Sequence, residues 1–163
     1  MAEGEFTLVR QHLQEALTKP GFEFSYSTPT ADIDLYAMMV DVVAQQRDLP
    51  ALQKYAPLAE ELALRNNHPL YQAIVHRAQG VAQRLTGEYP EAETRLEQAL
   101  ALFRRLDDRW QIGRTLNELG ELALARANSA AARDFFSHAL ATFEELGAAP
   151  DAARTRVTLE TLP

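Results

Sequence analysis

Apolar residues return every three or four positions along nearly the whole chain, and strict alternation is confined to Phe22-Glu23-Phe24-Ser25-Tyr26. That spacing lays one apolar stripe along each segment at the period of an α-helix, so the chain reads as almost wholly helical. Punctuating residues divide it into eight helices. The first covers Glu5–Thr18, with Phe6, Val9, Leu13, Ala16 and Leu17 on one side and Pro20-Gly21 stopping it. An aromatic connector leads to a second helix from Thr30 to about Arg47, where Thr28 or Thr30 supplies the cap and Asp32 and Asp34 suit the positive helix start. Asp48 and Pro50 open a third over Pro50–Arg65, in which the interior Pro57 predicts a kink or a late start. Asn67-His68-Pro69 begins a fourth, closed after Leu85 by Thr86-Gly87, and Glu88-Tyr89-Pro90 begins a fifth that ends near Leu106. Asp107-Asp108 cap Arg109–Arg126, Asn128-Ser129 cap Ala130–Leu146, and Gly147 to Pro150 precede a last short helix, Asp151–Leu162. Turns this short favour antiparallel neighbours within one domain.

Displacing residues 68–108 by forty positions onto 108–148 brings identical residues together at Gly80/Gly120, Ala92/Ala132, Ala99/Ala139, Leu100/Leu140, Ala101/Ala141, Phe103/Phe143 and Leu106/Leu146. All are small or apolar, so what is duplicated is the packing of a helix pair and no reactive group. A glycine inside a helix costs about 1 kcal/mol relative to alanine, and close backbone approach is the motive for keeping it at 80 and 120. In 109–148, Leu116, Leu119, Gly120, Ala123, Ala132, Phe136 and Ala139 stand at the relative spacing of the tetratricopeptide repeat, which the chain resembles. Residues 68–108 keep Gly80, Ala92, Leu96 and Ala99 but hold His76, Gln79 and Gln83 at places usually apolar, so packing there shifts to Ile74, Val75, Ala78, Val81 and Leu85. In 28–67, Pro50 and Ala59 align, while Val40 replaces the glycine and Leu52 the alanine.

The resemblance implies an all-α, TPR-like α-solenoid of about three antiparallel helix pairs, with an N-terminal helix and a C-terminal capping helix. As a single domain over 1–163 it divides into an N-terminal helix and connector (1–27), a degenerate repeat (28–67), two repeats (68–107 and 108–148) and the cap (150–163). The forty-residue unit exceeds the family's usual length of about thirty-four, and resembles the long-helix repeats of bacterial signalling ATPases and LuxR-type regulators.

Composition narrows the function. The 163 residues include no cysteine, which removes disulfides, thiolate metal sites and thiol nucleophiles. A net charge of −7 argues against a general nucleic-acid or anionic-membrane binder. The acidic start Met-Ala-Glu-Gly-Glu-Phe, which reads equally as native or as a fusion remnant, does not look like a secretory signal, and no apolar run is long enough to cross a bilayer, so a cytoplasmic location is expected. His12, His68, His76 and His138 miss the spacing at which two share a metal from one helix. Glu60-Glu61, Asp107-Asp108 and Glu144-Glu145 read as solvated ends or caps. With no phosphate-cradling glycine loop and no serine elbow, the chain reads as a non-enzyme that uses neither cofactor nor metal.

What remains is binding. The first helices of successive tetratricopeptide repeats line a concave surface, and carrying that register over points to Asp34, Asp41, Arg77, Arg84, Arg114, Asn117, Glu121 and Arg154. Four arginines on adjacent helices make a local positive groove fit for an acidic or C-terminal peptide segment. The plainer alternative is that these are solvated charges paired with Glu and Asp one turn away. The Lys and Asn set by which some relatives clamp carboxylates is not reproduced beyond Asn117. Phe103, Phe136 and Phe143 read as core and Trp110 as packed, whereas Phe22, Phe24 and Tyr26 either cover the end of the stack or form a homodimer contact. The leading expectation is a protein-interaction scaffold; the alternatives are a ligand- or peptide-sensing arm of a bacterial transcription regulator and a structural homodimer.

Overall fold

The computed structural model describes residues 10–12, 14–15 and 29–162. Seven bounded helices follow one another there: α1 (Pro29–Gln45), α2 (Leu49–Arg65), α3 (Pro69–Thr86), α4 (Tyr89–Arg105), α5 (Arg109–Ala125), α6 (Ser129–Glu145) and α7 (Ala149–Thr161). Residues 10–12 and 14–15 are helical as well, and Arg10 reaches the first turn, 2.5 Å from Asp48 and 3.3 Å from Gln46. Among the described residues there is no strand. The remainder of the expected first helix, its aromatic connector and Phe22, Phe24 and Tyr26 lie outside the described residues.

Every turn between the bounded helices holds one residue with positive φ: Arg47 at 56°, Asn67 at 46°, Gly87 at 84°, Asp107 at 53°, Ala127 at 55° and Gly147 at 66°. They stand twenty positions apart, so the chain is metered in helix-plus-turn lengths of twenty residues and two of these make the forty-residue unit. The left-handed residue turns the backbone back, and the one after it caps the next helix. Asp48 accepts from the Ala51 amide at 3.0 Å, Asp108 from Gln111 at 3.1 Å and Asn128 from Ala131 at 3.1 Å. All helix ends predicted from Thr30 onward fall within two residues of the observed ones. The late start at Pro57 does not occur: α2 runs unbroken from Leu49, with Pro57 on its exposed side, where its ring meets no packed neighbour helix.

Within the second and third units the first helix packs on the second through a small residue set against a large one. A Cβ at Gly120 would lie 2.7 Å from Phe136 Cζ, and one at Gly80 2.7 Å from Leu96 Cγ. Gly113 meets Phe143 in the same way, at 2.7 Å from Cε1. The first unit reaches a buried interface without small residues at these places, since Val40 and Leu52 are both fully enclosed. In the second unit Ile74, Val75, Ala78 and Val81 are core as expected, but Leu85, in the last turn of α3, is 37% exposed. His76 and Gln79 take part in a polar cluster instead of the core. Arg95 on α4 donates to Glu60 on α2 at 3.0 Å and lies 3.0 Å from His76 Nδ1, while Gln79 donates to Glu60 at 2.7 Å. Glu60 is therefore no solvated helix end.

Helices α1, α3 and α5 pack successively on one another, and no comparable packing links α2 to α4 or α4 to α6. The first helices thus crowd together on the inner side of a curved stack, an α-solenoid, and the second helices splay on the outer side. Helix α7 closes against α6, burying Ala152 and Thr155.

Candidate functional site

The inner side is laced by two ion clusters that each join three repeat units. Asp41 on α1 accepts from Arg77 of α3 at 2.8 Å and from both terminal nitrogens of Arg114 of α5, at 2.9 and 3.0 Å. The reciprocal cluster centres on Glu118 of α5, which accepts from Arg47 at the end of α1 at 2.7 and 2.8 Å and from Arg84 of α3 at 3.5 Å. Each carboxylate comes from one unit and its two guanidiniums from the other two. The spacings explain the geometry: Arg77 and Arg84 lie two turns apart on one face of α3, and Arg114 and Glu118 one turn apart on α5.

Arg77 is 3% exposed, rests over the Phe103 ring at 5.1 Å, and donates to Gln111 Oε1 at 2.6 Å. Its burial, with Arg114 next to it, lowers its pKa to about 10 against the pull of Asp41, so it stays charged at neutral pH. For Asp41, burial alone would raise the carboxyl, yet Arg77 and Arg114 outweigh it and hold the pKa below the ordinary value. Arg114 also stacks over Trp110, 4.7 Å from the ring centroid. Trp110 is half-exposed and not packed away as expected, and its indole donates to Asp151 at 3.1 Å.

Beside these clusters runs an open groove of about 340 Å3, walled by α1, α3, α5 and α7 with Arg47 of the first turn and Phe136 of α6. Of the residues expected there, Arg77, Arg114, Asn117, Glu121 and Arg154 line it. Asn117 donates to Thr155 at 3.0 Å, tying α5 to α7, and Arg154 pairs with Asp151 one turn before it. Asp34 and Asp41 instead border a second hollow of about 380 Å3 with Met38 and Tyr71. There Tyr71 donates to Asp34, and that hydrogen bond, with burial second, raises the phenol to about 12. Arg84 lines neither hollow and acts through Glu118. Only Arg154 follows the plain expectation of a carboxylate one turn away; the carboxylates of Arg77, Arg84 and Arg114 sit on other units. The sequence reading missed Arg47, Gln111, Glu118 and Asp151. Glu118 was recoverable, since it follows Arg114 by one turn, whereas Arg47 stands in a turn where no helical register applies.

Among the described residues, no three His, Cys, Asp or Glu side chains are placed to hold a metal ion, and no helix is long and apolar enough to cross a membrane. A family model described as tetratricopeptide repeat matches residues 71–145. A comparison with curated proteins finds no match. Among solved structures, the crystal structure of BtubC (BKLC) from P. vanneervenii is similar with a TM-score of 0.60 at 17% identity, covering 99% of this chain and 77% of that one. Identity this low speaks for the fold alone.

Proposed function

We propose that this chain, whose residues 71–145 match the tetratricopeptide repeat model, a repeat that generally mediates protein–protein interaction, is an interaction module whose inner groove receives an extended segment of a partner protein. The observation that carries this reading is the groove itself: about 340 Å3, open, polar, and bounded by side chains held from three units at once. A surface fixed in this way loses little freedom on binding, so contact energy is not spent on ordering the receptor. The expectation of four free arginines is reduced by the geometry. Arg77 and Arg114 are committed to an internal carboxylate and shape the floor, Arg84 is held on Glu118 behind it, and Arg154, 61% exposed, is the one with a head open to a partner.

A photo-crosslinking residue placed at Thr158, inside the groove, and another at Ser137, exposed on outer α6, test the assignment in cells that make the protein natively. A defined partner should be trapped from position 158 and absent from 137. Equal trapping from both positions, or none from 158, would end the groove reading.

A further inference from the structure

The outer helices α2, α4 and α6 stand in one register, each forty residues after the last, so their solvent-facing positions correspond one to one. At three of these positions the first unit departs from the others. Helix α2 exposes Pro57, Leu58 and Leu64, with Leu58 at 42% and Leu64 at 60%. The same places hold Glu97, Gln98 and Arg104 on α4 and Ser137, His138 and Glu144 on α6, all exposed. An apolar set where both sister helices are polar marks the outer face of α2 as a surface that something covers.

Charges run down the middle of that face. Helical spacing puts Lys54, Glu61 and Arg65 in line, with Leu58 on one flank and Pro57 and Leu64 on the other. Lys54 is exposed and has no carboxylate partner among the described residues; its ammonium lies 4.9 Å from the centroid of the buried Tyr55 ring. Glu61 pairs with Arg65 at 3.3 Å, at 68% and 62% exposure, an arrangement that holds little in water.

The row is complementary to itself. Lys54 and Glu61 lie equally far on either side of the point between Pro57 and Leu58. A two-fold axis through that point, perpendicular to the helix, lays each Lys54 on the Glu61 of an antiparallel copy and brings Leu58 against Leu58 and Pro57 against Pro57 beside the axis. A second copy carries the matching row by construction, whereas any other partner would have to reproduce it.

We propose that the outer face of α2 is a self-association surface, on which two copies of this chain pair back to back through antiparallel α2 helices. One helix from each copy makes a contact below the about 800 Å2 per partner of a standard interface, so the dimer is weak, with a dissociation constant on the order of 0.1 mM. Pairing through the outer sides leaves the two inner grooves facing away from each other. Together with the interaction reading of the groove, this makes a divalent unit that bridges two partner molecules and gains avidity for a partner that is itself repeated. The pairing itself does not depend on that reading.

The test is sedimentation equilibrium of the full chain, from about tenfold below to about tenfold above that dissociation constant. A monomer–dimer equilibrium is expected. Leu58→Glu, at an exposed position that leaves the helical circular dichroism unchanged, should weaken association at least about tenfold, because the axis sets two like charges together. Lys54→Glu or Glu61→Lys alone should weaken it about tenfold, since each reversal acts twice across the axis. The double reversal should return the affinity to within about threefold of the parent. A chain that stays monomeric throughout leaves the α2 face to some other occupant and overturns the proposal. So does a dimer indifferent to Leu58→Glu, which pairs through another face, or a double reversal no tighter than the single ones, which denies the register. Crosslinking from position 158 reads groove occupancy in monomer and dimer alike, so the interaction module and the self-association surface fail separately.

Discussion

Gly120 shows how little room the packing leaves. A methyl group there would sit 2.7 Å from Phe136 Cζ and 2.8 Å from Cε1, and Phe136 is itself buried, so the ring has nowhere to retreat. Gly120→Ala gains about 1 kcal/mol of helix propensity and meets an overpacking cost of about 1–3 kcal/mol. The clash should win: the urea midpoint falls with an unchanged slope, and a midpoint that rises would show that the ring moves freely. The glycine's purpose was readable from residues 109–148 because Gly120, Ala132 and Phe136 repeat a small-against-large fit. Gly113, which meets Phe143 in the same manner, was not read, since no glycine stands forty positions before it to mark it. The polar cluster about His76 was visible only as a failure of the apolar rule. That His76, Gln79, Glu60 and Arg95 bond to one another depends on side chains of α2 and α4 reaching across α3, which local spacing does not contain. Burial first, then Arg95, lowers the His76 pKa below its ordinary 6.5, against the opposing pull of Glu60 and Gln79. The fold favours neutral imidazole, so the contribution of His76 is complete above pH 6.5 and is lost as pH falls from there through the lower folded value. His76→Gln should flatten the decline of unfolding free energy in that window, measured by urea unfolding across it. An undiminished slope would place the titrating group elsewhere.

Helices here are defined as much by their turns as by their stripes. The left-handed residues at 47, 67, 87, 107, 127 and 147 keep a twenty-residue beat, although only Gly87 and Gly147 announce it in the sequence. Asn67 and Asp107 belong to types that tolerate this region, and Arg47 and Ala127 do not. That is why the helix ends were recoverable from caps and prolines while the half-unit period was not: four of the six markers are not glycine. Ala127 reports the cost directly. Its methyl stands in a conformation that costs an L-residue about 1 kcal/mol, and Ala127→Gly removes that while adding freedom to the unfolded chain. A net gain of about 0.5 kcal/mol, or about 1–2 °C in thermal midpoint for a chain of this size, is expected. A lowered midpoint would mean that the Ala127 turn makes packing contacts worth more than its strain.

Across the molecule, the solenoid's curvature is held by side chains reaching over an intervening helix. Neighbouring units share buried apolar faces, but α1 and α5 meet chiefly through Asp41 with Arg114 and Arg47 with Glu118. These pairs span 73 and 71 residues of sequence, which is why no reading of spacing along one helix could anticipate them. Asp41→Asn leaves the 3%-exposed Arg77 without its counter-charge and should cost about 3 kcal/mol, the usual scale for removing one partner of a buried pair. Glu118→Gln should cost less, because its strongest partner, Arg47, is 37% exposed and partly solvated already. The two losses should not add. Once one tie between α1 and α5 is cut, the other has a looser geometry to hold, so the double variant should fall short of the sum by about 1 kcal/mol, within the range for coupled contacts. The apolar faces between neighbouring units stay intact in that variant, so it keeps its helices while its outer units are freed to swing apart. Small-angle scattering should then show a larger radius of gyration with an unchanged circular dichroism spectrum. A scattering curve that superposes on the parent's would mean that the apolar interfaces alone set the curvature, leaving the ion clusters only the task of shaping the groove floor.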